Sequence, residues 1–100
     1  MYDKSTPEIE RDIEKEIKKD IYSEVYSEII SYLNGKTSSR YRSTDSTKKL
    51  IRARIDEGFT KEDFFTVIDN KVRSWKGTEW EKYLRPQTLF NATKFQGYLI

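Results

Sequence analysis

Isoleucine and valine recur at every fourth position through the first third of the chain: Ile9, Ile13, Ile17, Ile21, Val25 and Ile29. Four residues turn an α-helix through one revolution and about 40° more, so this row winds slowly around a helix instead of holding a straight stripe. The spacing is not a heptad. Up to Ile17 each turn offers one isoleucine amid Glu–Lys pairs at helical separation, which support an exposed helix. From Ile21 onward Tyr22, Tyr26, Ile30 and Leu33 widen the apolar face enough to dock on a core. Thr6 and Pro7 suit an N-cap and a first helical position, and Asn34-Gly35 suits a helix end. The pattern predicts one long helix over about 7–33. Its first half projects as a linker or pairs with another chain, and its second half packs.

The stretch Thr60–Trp75, TKEDFFTVIDNKVRSW, is the richest amphipathic segment. At helical periodicity Phe64, Phe65, Ile68, Val72 and Trp75 share an arc of about 100°, with Val67 beside them. Thr60 and Asp63 have the spacing of a capping box with Asp in place of Glu, and Gly58 suits the left-handed turn that closes a preceding helix. This predicts the central core helix, with Phe64, Trp75 and Phe90 as core residues. A shorter helix, about Thr47–Glu57 and capped by Ser46 or Thr44, sets Leu50, Ile51 and Ile55 on one side and Lys48, Lys49 and Arg52 on the other. Arg54 falls inside the apolar arc, which suits a stem that packs and a head paired with a nearby carboxylate. After Trp75, Thr78 caps a short helix, TEWEKYL. The residue before Pro86 interrupts it, and PQTLF restarts a turn. Phe95, Tyr98 and Leu99 then dock an apolar tail. No segment shows sustained alternation. The fold class is all-α: a compact bundle of four to five helices with a long N-terminal helix and short C-terminal helical turns. Residues 1–20 form a charged arm and 21–100 the domain.

Composition narrows the chemistry. The chain has no cysteine and no histidine, which removes disulfides, thiolate nucleophiles, the usual general base and nearly all zinc or haem ligation. The carboxylate pairs Asp56/Glu57, Glu62/Asp63 and Glu79/Glu81 diverge on a helix, so no single element offers a matched acid and base. No glycine-rich phosphate loop is present. We expect no catalysis and no cofactor. No apolar run reaches the length of about 18 residues that a membrane helix needs, and no signal-like segment opens the sequence, so a soluble cytoplasmic protein is expected. The net charge of +2 hides an asymmetry: residues 1–34 sum to −4 and residues 35–100 to +6. A basic body prefers acidic partners. Arg40 and Arg42 flank Tyr41 in the polar loop at 35–46, a pattern that suits a backbone clamp with a stacking ring. With Lys48, Lys49, Arg52, Arg85 and Lys94 they form the candidate DNA-binding set. Ile9, Ile13, Ile17 and Trp80 form the candidate partner-binding set.

The order of residues adds a resemblance. Tyr32-Leu33-Asn34, a basic and hydroxyl-rich loop, Lys49-Leu50-Ile51-x-Ala53-Arg54-Ile55-x-Glu57-Gly58-Phe59-Thr60, Phe64-x-x-Val67-Ile68-Asp69-x-Lys71, Trp75, and the closing YLRPxTLF…KFxxYL string from Tyr83 to Leu99 follow one another. Together they resemble the conserved C-terminal domain of phage replisome organisers, the DnaD-like replication initiation proteins of Gram-positive phages and prophages. The resemblance covers roughly Ile29 to Leu99. It implies a role in phage DNA replication, with weak contact to single- or double-stranded DNA and recruitment of a helicase loader or replicative helicase. In such organisers a winged-helix domain precedes a charged linker. Residues 1–20 look like that linker, and the winged-helix part is not in this sequence, so origin recognition does not carry over. The alternative reading is a pure interaction or homo-oligomerisation module, or a short inhibitor of a host replication protein, without direct DNA contact.

Overall fold

Two helix ends and one helix start set the geometry of the domain. They are seen in a computed structural model that describes residues 22–100. The arm, including Ile9, Ile13 and Ile17, lies outside the described residues. The first described helix, α1, covers 22–37 and runs past Asn34-Gly35, where the sequence pattern places its end. Ser38 takes the left-handed turn instead, at φ 57°. Its neighbour Ser39 donates its N–H back to the Asn34 carbonyl at 3.1 Å, the long bond of a Schellman closure. Gly35 stays helical at a cost of about 1 kcal/mol relative to alanine. The Asn34 side chain is used elsewhere, as described below.

Helix α2, Asp45–Asp56, starts two residues earlier than expected because Thr44 is the cap and accepts the Thr47 N–H at 3.3 Å. It ends as expected. Gly58 has φ 107°, its N–H reaches the Ile55 carbonyl at 2.9 Å, and the Phe59 N–H reaches Arg54 at 3.1 Å. Helix α3, Lys61–Trp75, opens with both bonds of the capping box. Asp63 N–H donates to Thr60 Oγ1 at 3.2 Å, and Thr60 N–H donates to Asp63 Oδ2 at 2.9 Å.

Phe64, Val67 and Ile68 of α3 are fully buried and meet Tyr26, Ile29, Ile30 and Leu33 of α1 and Ile51 of α2. The Phe64 ring sits 5.1 Å from Phe90 and 4.9 Å from Phe95, and Phe95 lies edge-on to Phe59 at 4.7 Å. Each such aromatic side chain contributes about 1.5–3 kcal/mol by burial, with a further 0.5–1.5 kcal/mol per well-placed pair. Trp75 departs from expectation: it is only half-buried, at the end of α3 where the covering elements are short.

The C-terminal third is three small pieces: a 3₁₀ turn at Glu81–Tyr83, α4 at Pro86–Leu89 and α5 at Phe95–Leu99. The helix expected over TEWEKYL is reduced to that one 3₁₀ turn. Gly77 at φ 84° and Pro86 confine it to too few residues to repay helix nucleation. Leu84, Pro86, Leu89, Phe90 and Phe95 nevertheless reach the core.

Arg54 is 4% exposed. Its guanidinium grips Glu57 with Nε and Nη2, both at 2.9 Å, and donates from Nη1 to the Phe90 carbonyl at 3.1 Å. The buried stem and paired head read from the sequence are both present. The described residues form an all-α domain, with no strand among them.

Candidate nucleic-acid interface

Tyr41 organises the basic surface. Asn34 grips its backbone from α1: Oδ1 accepts the Tyr41 N–H at 2.8 Å and Nδ2 donates to the Tyr41 carbonyl at 3.0 Å. The amide side chain thus offers the loop both halves of a peptide pairing. The Tyr41 ring packs against the core, and its hydroxyl donates to the Leu84 carbonyl at 3.0 Å. Tyr41 is therefore a staple between the loop and the C-terminal turns, and we do not retain it as a free ring for base stacking. Arg40 and Arg42 bracket the staple and are exposed, and Arg85 follows Leu84 directly. The staple thus ties the loop that carries Arg40 and Arg42 to the residue preceding Arg85, more than 40 positions on in sequence; the Arg85 guanidinium itself lies over Tyr83 and donates from Nε to Thr88 Oγ1 at 3.1 Å.

Lys48 and Lys49 lie in the first half of α2, close behind Arg42 in the chain, and line an open groove of about 520 Å³ with Tyr26, Asp45, Arg52, Ala53 and Asp56. Arg40, Arg42, Lys48 and Lys49 have no carboxylate within ion-pair distance among the described residues. Arg52 is different. It lies over the Tyr22 ring at 4.1 Å, and its Nε meets Asp56 at 3.4 Å. The Tyr26 side chain, then Tyr22 and Asp56, hold its pKa above the ordinary arginine value. Its charge is shared within the protein. Lys94 also stands apart. It precedes Phe95, whose ring rests on Phe59 beyond the C-terminal end of α2. The 12 residues of α2 span on the order of 18 Å, so Lys94 belongs to the opposite end from Arg42.

A second surface was only partly anticipated. Trp80 is 51% exposed, the largest exposed ring among the described residues. Its centroid is 5.7 Å from Tyr83, which lies 6.5 Å from Trp75, which lies 5.7 Å from Tyr98. Cations rest on this row: Lys82 and Arg85 over Tyr83 at 5.5 and 5.4 Å, and Lys71 over Trp75 and Tyr98 at 4.7 and 4.8 Å. In the sequence Tyr98 reads as part of the docked apolar tail, and Tyr83 carries no assigned role. The interleaved spacing of Lys71, Trp75, Lys82, Tyr83 and Arg85 was the available signal.

The opposite side of α1 is a structural seam. The Tyr32 hydroxyl donates to both Asp69 oxygens, at 2.8 and 2.9 Å, and Lys36 approaches Asp69 at 3.7 Å. The bond to Asp69, then desolvation, raises the Tyr32 pKa above the ordinary tyrosine value. Lys61 donates to Glu28 at 2.8 Å, which raises the lysine pKa.

Elements and surface together define a small all-α domain whose polar chemistry lies on open faces. The chain belongs to the conserved phage C-terminus family, whose model matches residues 29–100. The match begins within α1 and takes in every later element, the stretch on which the sequence resemblance rests. No curated protein and no solved structure matches the chain. No described helix is long and apolar enough to cross a membrane.

Proposed function

We propose that this domain is a non-catalytic module of phage DNA replication that binds the DNA backbone weakly and without sequence preference. The supporting observation is the Tyr41 staple, which ties the loop carrying Arg40 and Arg42 to the Leu84 carbonyl, next to Arg85 in the chain, while the same loop leads directly into α2 with Lys48 and Lys49. These cations have no carboxylate partners among the described residues and are available to neutralise phosphates. Lys94 and Arg52 make smaller contributions in this reading, the first by position and the second because its charge is already engaged. Membership of a phage family agrees with a replication role. The organiser-like task of recruiting a helicase loader or replicative helicase, and the setting in the host cytoplasm, follow from the resemblance to DnaD-like proteins.

Fluorescence anisotropy with labelled oligonucleotides tests the reading. Three to five phosphate contacts lower affinity roughly 40- to 500-fold between about 50 and 200 mM salt. Arg40→Ala with Arg42→Ala is expected to weaken binding while leaving the melting temperature unchanged. Flat anisotropy at low salt and high protein concentration rules DNA contact out and leaves the interaction or oligomerisation reading.

A further inference from the structure

The backbone that carries the exposed Trp80 is tied down. The Trp80 N–H donates to Thr78 Oγ1 at 3.1 Å, and the Thr78 hydroxyl donates to the Trp75 carbonyl at 2.6 Å. Gly77 N–H donates to Glu81 Oε1 at 3.0 Å, which turns that carboxylate back onto the backbone. A large ring thus stands half in water on a short, tied turn, with the Tyr83 ring beside it. Tyr83 extends the apolar surface at 5.7 Å, with Lys82 and Arg85 over its ring. Neither cation has a carboxylate within ion-pair distance among the described residues.

Arg85 belongs to two surfaces. Through Leu84 it adjoins the Tyr41 staple, and through its guanidinium it covers Tyr83. A strand whose phosphates cross Arg40, Arg42 and Arg85 therefore arrives at an aromatic ledge as it leaves the basic surface. A duplex keeps its base faces stacked inside and offers Trp80 only edges and backbone. An unpaired strand offers π-faces that stack on aromatic side chains whatever the base.

The geometry points to Trp80, backed by Tyr83 and flanked by Lys82 and Arg85, as a stacking platform for an unpaired nucleic-acid strand, giving the domain a preference for single-stranded over duplex substrate. This rests on the DNA-binding reading above and adds the form of nucleic acid to it. Charge complementarity favours a strand over a peptide as occupant, because two cations without a carboxylate partner among the described residues frame the rings. Glu79, exposed beside Trp80, opposes it at one edge.

The test uses the full chain carrying Trp75→Phe, which leaves Trp80 as the sole tryptophan. Short deoxyribo- and ribo-oligonucleotides, and the same deoxy sequence as a duplex, are titrated at low salt. Both single strands are expected to quench Trp80 emission and the duplex to leave it nearly unchanged. If only one sugar type quenches, the platform stands and the strand is identified. In the otherwise native chain, Trp80→Ala is expected to lower single-strand affinity about 5- to 150-fold, the range for one lost stacked base, with duplex affinity and melting temperature unchanged. Glu79→Gln is expected to raise single-strand affinity. If wild-type protein binds both forms and Trp80→Ala changes neither, or both equally, the platform is overturned while backbone binding stands. If the wild type binds neither form, both readings fall together.

Discussion

At the scale of single residues, the structure separates side chains that look alike in sequence. Tyr41 and Tyr32 are both half-buried tyrosines near basic residues, yet one holds a loop and the other a helix pair. Tyr41→Phe keeps the ring and the charges and removes only the bond to Leu84. It is expected to cost about 1 kcal/mol in chemical denaturation and to weaken DNA binding by loosening Arg40 and Arg42. A ring that acted by stacking would keep its affinity as phenylalanine. Tyr32 acts through its proton. Its pKa is raised in the fold, so its contribution is fully present below the ordinary tyrosine value of about 10 and is lost as pH rises through the higher folded value. Tyr32→Phe is expected to destabilise by about 1 kcal/mol near pH 7, reduced by solvent screening. Urea midpoints of mutant and wild type should converge above pH 10. These roles were not legible in the sequence, because the Tyr41 and Tyr32 partners lie 43 and 37 residues away.

At the scale of elements, what was readable depended on how local the determinants were. The α3 start needs only Thr60 and Asp63, and the α2 end only Gly58 and its neighbours, so both follow from a few adjacent residues. The end of α1 does not. Asn34 looked like a terminator, but its amide is committed to Tyr41, and the left-handed turn falls to Ser38. Helical periodicity placed Trp75 on the apolar arc, yet it could not tell that so little of the C-terminal third would be helical to cover it. Phe64→Ala, which vacates the centre of the ring cluster, is therefore expected to cost about 3–5 kcal/mol. Trp75→Ala should cost clearly less, because its ring is only half-buried. Thermal melts followed by circular dichroism compare the two, and an equal loss would show that Trp75 is as central as Phe64.

At the scale of the whole molecule, fold class was the most legible feature, since helical periodicity and the absence of alternation are properties of long stretches. The basic surface was legible as composition and not as geometry. Arg40, Arg42, Lys48 and Lys49 are near one another in sequence, whereas the stretch holding Arg85 is linked to their loop by the Tyr41–Leu84 bond, and Lys94 is carried to the far end of α2. The division within the basic body matters for binding: Arg52 and Arg54 are spent on the protein, so the chain's effective positive surface is smaller than its residue count suggests. The loop at its centre is clamped by Asn34 on the backbone and by Leu84 on the ring. A segment already set in its working shape gives up little freedom when a partner arrives. In the proposed DNA-binding role, contact would be limited by encounter and not by rearrangement, so that a few charges could catch and release a long polymer quickly.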